Sequence, residues 1–168
     1  MATPILINTS GATNANVYPS LAEAHAYFDT QLYATNWTGS YADQQNKALL
    51  MATRLIDEQI IWNGQKYSEI QSLRWPRDGI YDPDGYYVSS TIIPQFLKNA
   101  VAELAGQLIG SNRTAESDTK GFKRLKAGEL ELEIDKTDVP EVLPDSVWEM
   151  VRHYGIKRSE MNVDLVRV

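Results

Sequence analysis

The sequence predicts a mainly α protein: a compact bundle of about four helices with a long irregular loop, one β-hairpin and extended N- and C-terminal arms. Apolar residues recur at helical spacing in several segments, and in one later segment the period falls to two. Residues 1–22 carry no charged side chain and alternate short apolar runs with Asn, Thr, Ser and Gly. A length of 168 residues predicts a single domain.

The first two helices have distinct start signals. Ser20 and Glu23 form a capping-box pair, and the apolar face that follows continues to Leu32. A second helix is expected to start near Ser40 and to carry its apolar stripe to Trp62. Both segments therefore belong to the predicted helical core.

A loop and a third helix complete that core. Gly64 supplies a left-handed stop for the second helix, and the loop 63–92 is too rich in Gly, Asp and Pro to be helical. The third helix has Pro94 in its first turn. The GxxxG spacing of Gly106 and Gly110 predicts close packing and a helix end rather than membrane dimerisation.

The segment FKRLKAGELELEID predicts a hairpin. Its leucines and isoleucine alternate with acidic residues, and Ala127-Gly128 is the expected turn. This register pairs Lys126 with Glu129, so opposite charges meet across the strands. The basic arm could also be interpreted as a phosphate-binding patch, but the acidic arm would neutralise most of its field.

The predicted organisation is one domain over residues 1–168. Its parts are an extended arm (1–19), the helical core (20–110), the hairpin (120–135), a short helix (144–155) and a C-terminal tail (156–168).

Composition excludes several classes of function. The chain has no cysteine, which removes disulfide and thiolate chemistry, and no apolar run long enough for a signal peptide or a membrane span. We expect no membrane partner and a protein made in the cytoplasm. The net charge of −6 disfavours binding of nucleic acid through the overall field of the molecule.

No catalytic, cofactor or metal site is predicted, so we expect a protein that is not an enzyme. Its two histidines, His25 and His153, lie in no metal or catalytic motif. The Asp82-Pro-Asp-Gly segment predicts a β-turn, because an EF-hand counted from Asp82 would need Glu where Ile93 stands. The acidic pair at 57–58 is expected to be exposed, with ordinary pKa values.

Binding surface is therefore the remaining prediction. Aromatic rings and guanidinium groups are enriched where proteins meet proteins, although Trp75 could equally plug the loop onto the helices. The predicted partner or oligomer contacts share aromatic, basic or apolar side chains on the loop, hairpin and tail: Arg74, Trp75, Arg77, Tyr81, Tyr86, Tyr87, Lys123, Arg124, Lys126, Ile156, Val163, Leu165 and Val166.

Four segments in order resemble one family of tailed-bacteriophage proteins: YPSLAEAHAYFDTQLYATNW (18–37), KALLMATRLIDEQIIWNGQK (47–66), LRWPRDGIYDPDG (73–85) and IPQFLKNAVAELAGQL (93–108). Members are often labelled DnaT-like single-stranded-DNA-binding proteins and are encoded among virion structural genes. The W-P-R segment, followed by Gly and later by Ile-Pro, is the most specific part of the resemblance.

The resemblance implies a virion structural protein of the head–tail neck, a connector or adaptor subunit assembled in the bacterial host cytoplasm. Its partners would be copies of itself in a ring, expected to be a dodecamer, together with the portal and the tail or nozzle proteins. Genomic DNA would pass through the ring's channel without specific binding. The alternative is a single-stranded-DNA-binding replication accessory protein, in which Trp75 and the tyrosines stack bases while Arg74, Arg77 and residues 120–126 follow the backbone.

Overall fold

The structure is a computed structural model that describes residues 3–115, 124–127, 130–133 and 141–161. Within these ranges the helices are α1 (Leu21–Phe28), α2 (Thr35–Thr38), α3 (Ala42–Gln59), α4 (Gln95–Gly110) and α5 (Asp145–Val151). The strands are β1 (Ile60–Trp62), β2 (Gln65–Lys66), β3 (Arg77–Asp78), β4 (Arg124–Ala127), β5 (Leu130–Glu133) and β6 (Gly155–Lys157). They pair antiparallel as β1–β6, β2–β3 and β4–β5.

The predicted compact bundle of about four helices is wrong as a description of this architecture. Helix α4 does lie at the centre and contacts α1, α2, α3 and α5. However, small sheets fix the ends of these helices, and the chain leaves α3 at Ile60 as a strand instead of continuing to Trp62 as a helix. A short apolar run that begins with two β-branched residues fits either element by periodicity, and pairing with β6 makes it a strand.

The described parts of both terminal segments lie on the body of the protein. Val17 and Tyr18 are buried in the main core, and the Asn46 Nδ2 donates a hydrogen bond of 3.0 Å to the carbonyl of Pro4. The prediction of an extended tail from residue 156 is wrong at Arg158–Met161, which form a 3₁₀ turn, whereas residues 155–157 are extended as β6 and pair with β1. The rest of the tail lies outside the described residues.

The capping box that starts α1 is confirmed. The Glu23 backbone N–H donates to the Ser20 Oγ at 3.2 Å, and the Ser20 N–H donates to the Glu23 Oε2 at 2.7 Å. The helix ends at Phe28, earlier than predicted, and Leu32 is 90% exposed. An apolar residue at helical spacing therefore does not extend this helix into the following loop.

The hairpin is present, but its predicted register is wrong. Leu125 pairs with Leu132, Lys126 with Glu131 and Ala127 with Leu130, so Ala127 lies in a strand and not in the turn. Positions of opposite charge still face each other, as predicted.

Gly106 and Gly110 confirm the close packing and the helix end predicted from their spacing. A Cβ on Gly106 would lie 2.7 Å from the Phe28 ring, which stacks on Trp37 with centroids 4.6 Å apart. Gly110 is the last residue of α4, and a Cβ there would meet the exposed side-chain amide of Asn36. The neighbour of Gly106 is therefore a buried ring that cannot move freely, whereas the neighbour of Gly110 is an exposed side chain that can.

This difference predicts opposite effects of two matched substitutions. Gly106→Ala is expected to lower the free energy of unfolding by about 1–3 kcal/mol, because the buried Phe28 ring must shift. Gly110→Ala is expected to be neutral or to stabilise by up to about 1 kcal/mol, because alanine favours the helix and the Asn36 side chain can rotate away. Urea denaturation of both variants measures the difference, and equal effects would contradict the packing described.

Candidate functional site

Trp75 was predicted as a partner contact, and the structure instead places it in the core. Its side chain is 0% exposed and packs edge-to-face against Trp62 at 5.5 Å and Phe96 at 5.6 Å between ring centroids. Phe96 in turn stacks on Tyr154 at 3.8 Å. The predicted contact role of Trp75 is therefore wrong for the folded chain, and the alternative that it plugs the loop onto the helices holds.

Arg77 is likewise buried and not available to a partner. Only 8% of the residue is exposed, and its guanidinium donates to the carbonyl oxygens of Asn63 at 2.6 Å, Gly64 at 2.7 Å and Arg74 at 3.1 Å. A fourth, longer contact of 3.5 Å reaches the Trp62 carbonyl. Arg77 thus fixes the corner between β1 and β2, since guanidinium N–H groups satisfy carbonyls that this turn leaves unpaired.

The three tyrosines of the loop are exposed, as a contact role requires. Tyr81 and Tyr87 pair as an isolated antiparallel bridge, and Tyr86 is 73% exposed. The predicted β-turn between them is confirmed, because the Gly85 N–H donates to the Asp82 carbonyl at 3.0 Å. We call residues 81–87 the tyrosine hairpin.

The remaining predicted contact residues are less fully placed. Ile156 is partly exposed in β6, and Arg74 is exposed. For Arg124 and Lys126 the structure gives the strand pairing of β4 alone. The others lie outside the described residues: Lys123, Val163, Leu165 and Val166.

A buried carboxyl group, missed by the sequence analysis, lies near the end of α3. The Tyr18 hydroxyl donates to both Asp57 oxygens at 2.7 and 2.8 Å, the Trp62 Nε1 donates at 3.3 Å and the Arg74 backbone N–H at 3.1 Å. Burial raises the pKa of Asp57 from 3.8 to about 6, although these hydrogen bonds act in the opposite direction. The expectation of an exposed carboxylate with an ordinary pKa is therefore wrong.

Above this carboxyl group lies a pocket of about 460 Å³, which we call the arginine pocket. Three arginines from separate parts of the chain line it: Arg54 from α3, Arg74 from the loop and Arg158 from the C-terminal 3₁₀ turn. The other lining residues are Asn16, Thr53, Asp57, Glu58, Ser72 and Leu73.

Contacts on one turn of α3 hold the arginines together. The Arg158 Nε donates to the Glu58 carbonyl at 2.9 Å, and the Arg54 Nε lies 3.7 Å from the Glu58 carboxylate. Within the described ranges, no acceptor takes a hydrogen bond from the Arg74 guanidinium. The sequence carries only a weak signal for this site, the i,i+4 spacing of residues 54 and 58, because the other two arginines arrive through tertiary contacts.

The raised pKa of Asp57 predicts a pH dependence of stability. Because its folded pKa is above its unfolded value, the native state binds more protons between about pH 4 and pH 6, and its contribution to the free energy of unfolding falls as the pH rises through that range. The fall is expected to be about 2–3 kcal/mol.

Asp57→Asn isolates this contribution, since asparagine cannot ionise. We expect the destabilisation caused by Asp57→Asn to be smaller at pH 7 than at pH 4. At pH 7 the wild type carries a buried charge at residue 57 that lowers its stability, and the variant does not. Denaturant unfolding of both proteins at a series of pH values measures it. A difference that does not vary with pH would show that Asp57 titrates normally.

The pocket contains three guanidinium groups and two carboxylates, so its side chains suit an anionic ligand. These features are those of an anion-binding protein. The chain belongs to the family described as "Putative DnaT-like ssDNA binding protein", whose model matches residues 3–168. No curated protein and no solved structure matches the chain.

The family match corrects the functional prediction. The interpretation as a virion head–tail connector that forms a ring under the portal is wrong, because the family description names single-stranded DNA binding and favours the alternative. The predicted location in the virion stays a prediction. The predicted partners, which are the portal, the tail and further copies of the chain, also stay predictions. Among the described residues, none of the helices has the length and apolar character needed to cross a bilayer.

Proposed function

We propose that this protein binds single-stranded DNA and that the arginine pocket contacts the phosphates. The family match over residues 3–168 carries the proposal. The arginine pocket supports it, since arginine is the side chain best suited to bind phosphate through paired N–H groups.

The net charge of −6 limits how this binding can work. The overall field of the molecule repels a polyanion, so the affinity must come from a local group of cations at short range. In the arginine pocket the two carboxylates are already occupied: Asp57 by hydrogen bonds from Tyr18, Trp62 and the Arg74 backbone, and Glu58 by Arg54. The Arg74 guanidinium donates to no protein acceptor in the part of the chain that the structure describes.

Contacts to the bases have fewer candidates than the sequence predicted. Trp75 cannot stack on a base, because none of its surface is exposed. The tyrosine hairpin offers exposed rings of the kind that stack on bases, but Asp82 and Asp84 lie within it and residues 78–97 contain no Lys or Arg. The phosphate contact is therefore assigned to the arginine pocket and not to the hairpin.

Fluorescence anisotropy of a labelled oligothymidine with the full chain tests this function. We expect a Kd of about 1–100 µM at about 50 mM salt, the range of weak nonspecific binding. The affinity should fall as the salt concentration rises, with a slope of log K against log salt of about −0.7 for each phosphate that the pocket contacts on a single strand. Absence of binding at low salt would contradict the proposed function.

A further inference from the structure

We propose that the arginine pocket is a site for a terminal phosphomonoester, as found at the end of a DNA strand, and not for the internal phosphodiesters along it. This inference rests on the proposed function and narrows its ligand. It assigns the protein to strand ends, which neither the family description nor the fold states.

The first argument is the convergence of the three arginines. Arg54 and Arg158 both contact Glu58, at 3.7 Å through its carboxylate and at 2.9 Å through its carbonyl. The Arg74 backbone N–H donates at 3.1 Å to the neighbouring Asp57. One side chain from α3 and two that contact its last turn therefore line a single pocket, whereas cations that follow a strand would be spread along a groove.

The second argument is the match between three guanidinium groups and a monoester. A terminal phosphate carries a charge of about −1.5 to −2 near neutral pH and three strong acceptor oxygens. An internal diester carries a single charge and has two free oxygens. Arg54 and Arg158 contact Glu58 through Nε, so their terminal N–H groups and those of Arg74 can each bind a separate oxygen of the monoester.

The third argument is an unpaired hydroxyl group on a buried residue that lines the pocket. Thr53 lines the pocket and is 1% exposed, and its Oγ1 has no hydrogen-bond partner among the described residues. Buried hydroxyl groups are usually hydrogen-bonded, because an unpaired one costs free energy. An oxygen acceptor bound in the pocket accounts for a donor left free at this position.

The carboxylates of the pocket do not cancel this charge. Both Asp57 oxygens accept hydrogen bonds from donors of the protein, so neither oxygen is left unpaired toward an anion in the pocket. The Glu58 carboxylate is paired with Arg54. An anion in the pocket therefore meets Arg74 and Arg158 before it meets an unpaired carboxylate.

The test compares oligothymidines of one length that carry a 5′-phosphate, a 3′-phosphate or hydroxyl groups at both ends, each labelled away from the end under study. We expect a phosphorylated end to bind the full chain about tenfold tighter than the hydroxyl-ended strand, and millimolar inorganic phosphate to remove this preference. Equal affinities for all three strands would overturn the inference and leave single-stranded DNA binding in place. No binding of any strand would contradict the proposed function itself.

Two variants connect the preference to the pocket. Arg74→Ala is expected to abolish the preference for a phosphorylated end while the backbone N–H of residue 74 still holds Asp57. Thr53→Val removes the unpaired hydroxyl, so it should lower the preference several-fold without lowering the melting temperature. An unchanged preference in Arg74→Ala would overturn the assignment to this pocket, and Arg152→Ala, outside the pocket, is the control that should retain it.

Discussion

Replacing Trp75 with alanine is expected to lower the free energy of unfolding by about 3–5 kcal/mol. The side chain is fully buried and contacts Trp62, Phe96 and Tyr154, so its removal leaves a large cavity between the loop, α4 and the C-terminal segment. Guanidinium chloride denaturation followed by circular dichroism measures the loss. For a small domain this is a large fraction of the total stability.

Trp75→Phe provides the matched control. The Trp75 Nε1 is buried with no hydrogen-bond partner among the described residues, so phenylalanine removes volume without breaking a polar contact. We expect it to cost less than half as much as alanine. If Trp75→Ala changed the stability by less than about 0.5 kcal/mol, the size of an ordinary surface substitution, the buried position would be contradicted.

The second large effect is expected at Arg77. Arg77→Ala should lower the free energy of unfolding by about 2–4 kcal/mol, because it removes the donors that satisfy the carbonyls of Asn63, Gly64 and Arg74. The truncation also removes packing by the long side chain. Thermal and denaturant unfolding both report this loss.

Two comparisons make the Arg77 prediction specific. Arg77→Lys keeps the charge but cannot place N–H groups toward several carbonyls in one plane, so we expect it to recover less than half of the loss. Arg74→Ala, an exposed arginine three positions earlier, should change the stability by less than about 0.5 kcal/mol. Equal destabilisation by Arg74→Ala and Arg77→Ala would contradict the distinct roles described.

Local signals in the sequence predicted the local parts of the fold. The capping box at Ser20, the β-turn at Asp82 and the glycine packing at Gly106 are each decided by residues a few positions apart or by one steric requirement. The hairpin was predicted from its period of two, but that period alone does not decide which residues pair across the strands.

Long-range contacts explain what the sequence did not predict. Strand β1 pairs with β6 across more than ninety positions, and neither three-residue segment carries a strong strand signal alone. The burial of Trp75 and Arg77 depends on where the loop lies against α3 and α4. Residue type alone predicts an interface role for both, because Trp and Arg are enriched at protein interfaces. The sequence predicts Asp57 as one of an exposed acidic pair, but the fold brings Tyr18 and Trp62 into hydrogen-bond contact with it.

The candidate site also depends on long-range contacts and not on local sequence signals. Net charge is a property of the whole chain, and its sign argued against nucleic acid. The arginine pocket is a property of the fold, because it brings together three residues that are separated by 20 and 84 positions, Arg54, Arg74 and Arg158. Charge at short range can therefore favour an anion even where the total charge does not.

The most direct test of this account compares two triple variants, each of which loses three positive charges from a different part of the protein. One variant combines Arg54→Ala, Arg74→Ala and Arg158→Ala, and the control combines Lys47→Ala, Arg113→Ala and Arg152→Ala, none of which lines the pocket. Both have the same net charge, so anisotropy titration with oligothymidine at about 50 mM salt separates a local site from the overall field.

We predict that the pocket variant loses binding to oligothymidine and its dependence on salt, while the control binds within a few-fold of the wild type. Equal loss in both variants, or wild-type binding by the pocket variant, would contradict a DNA site at the arginine pocket.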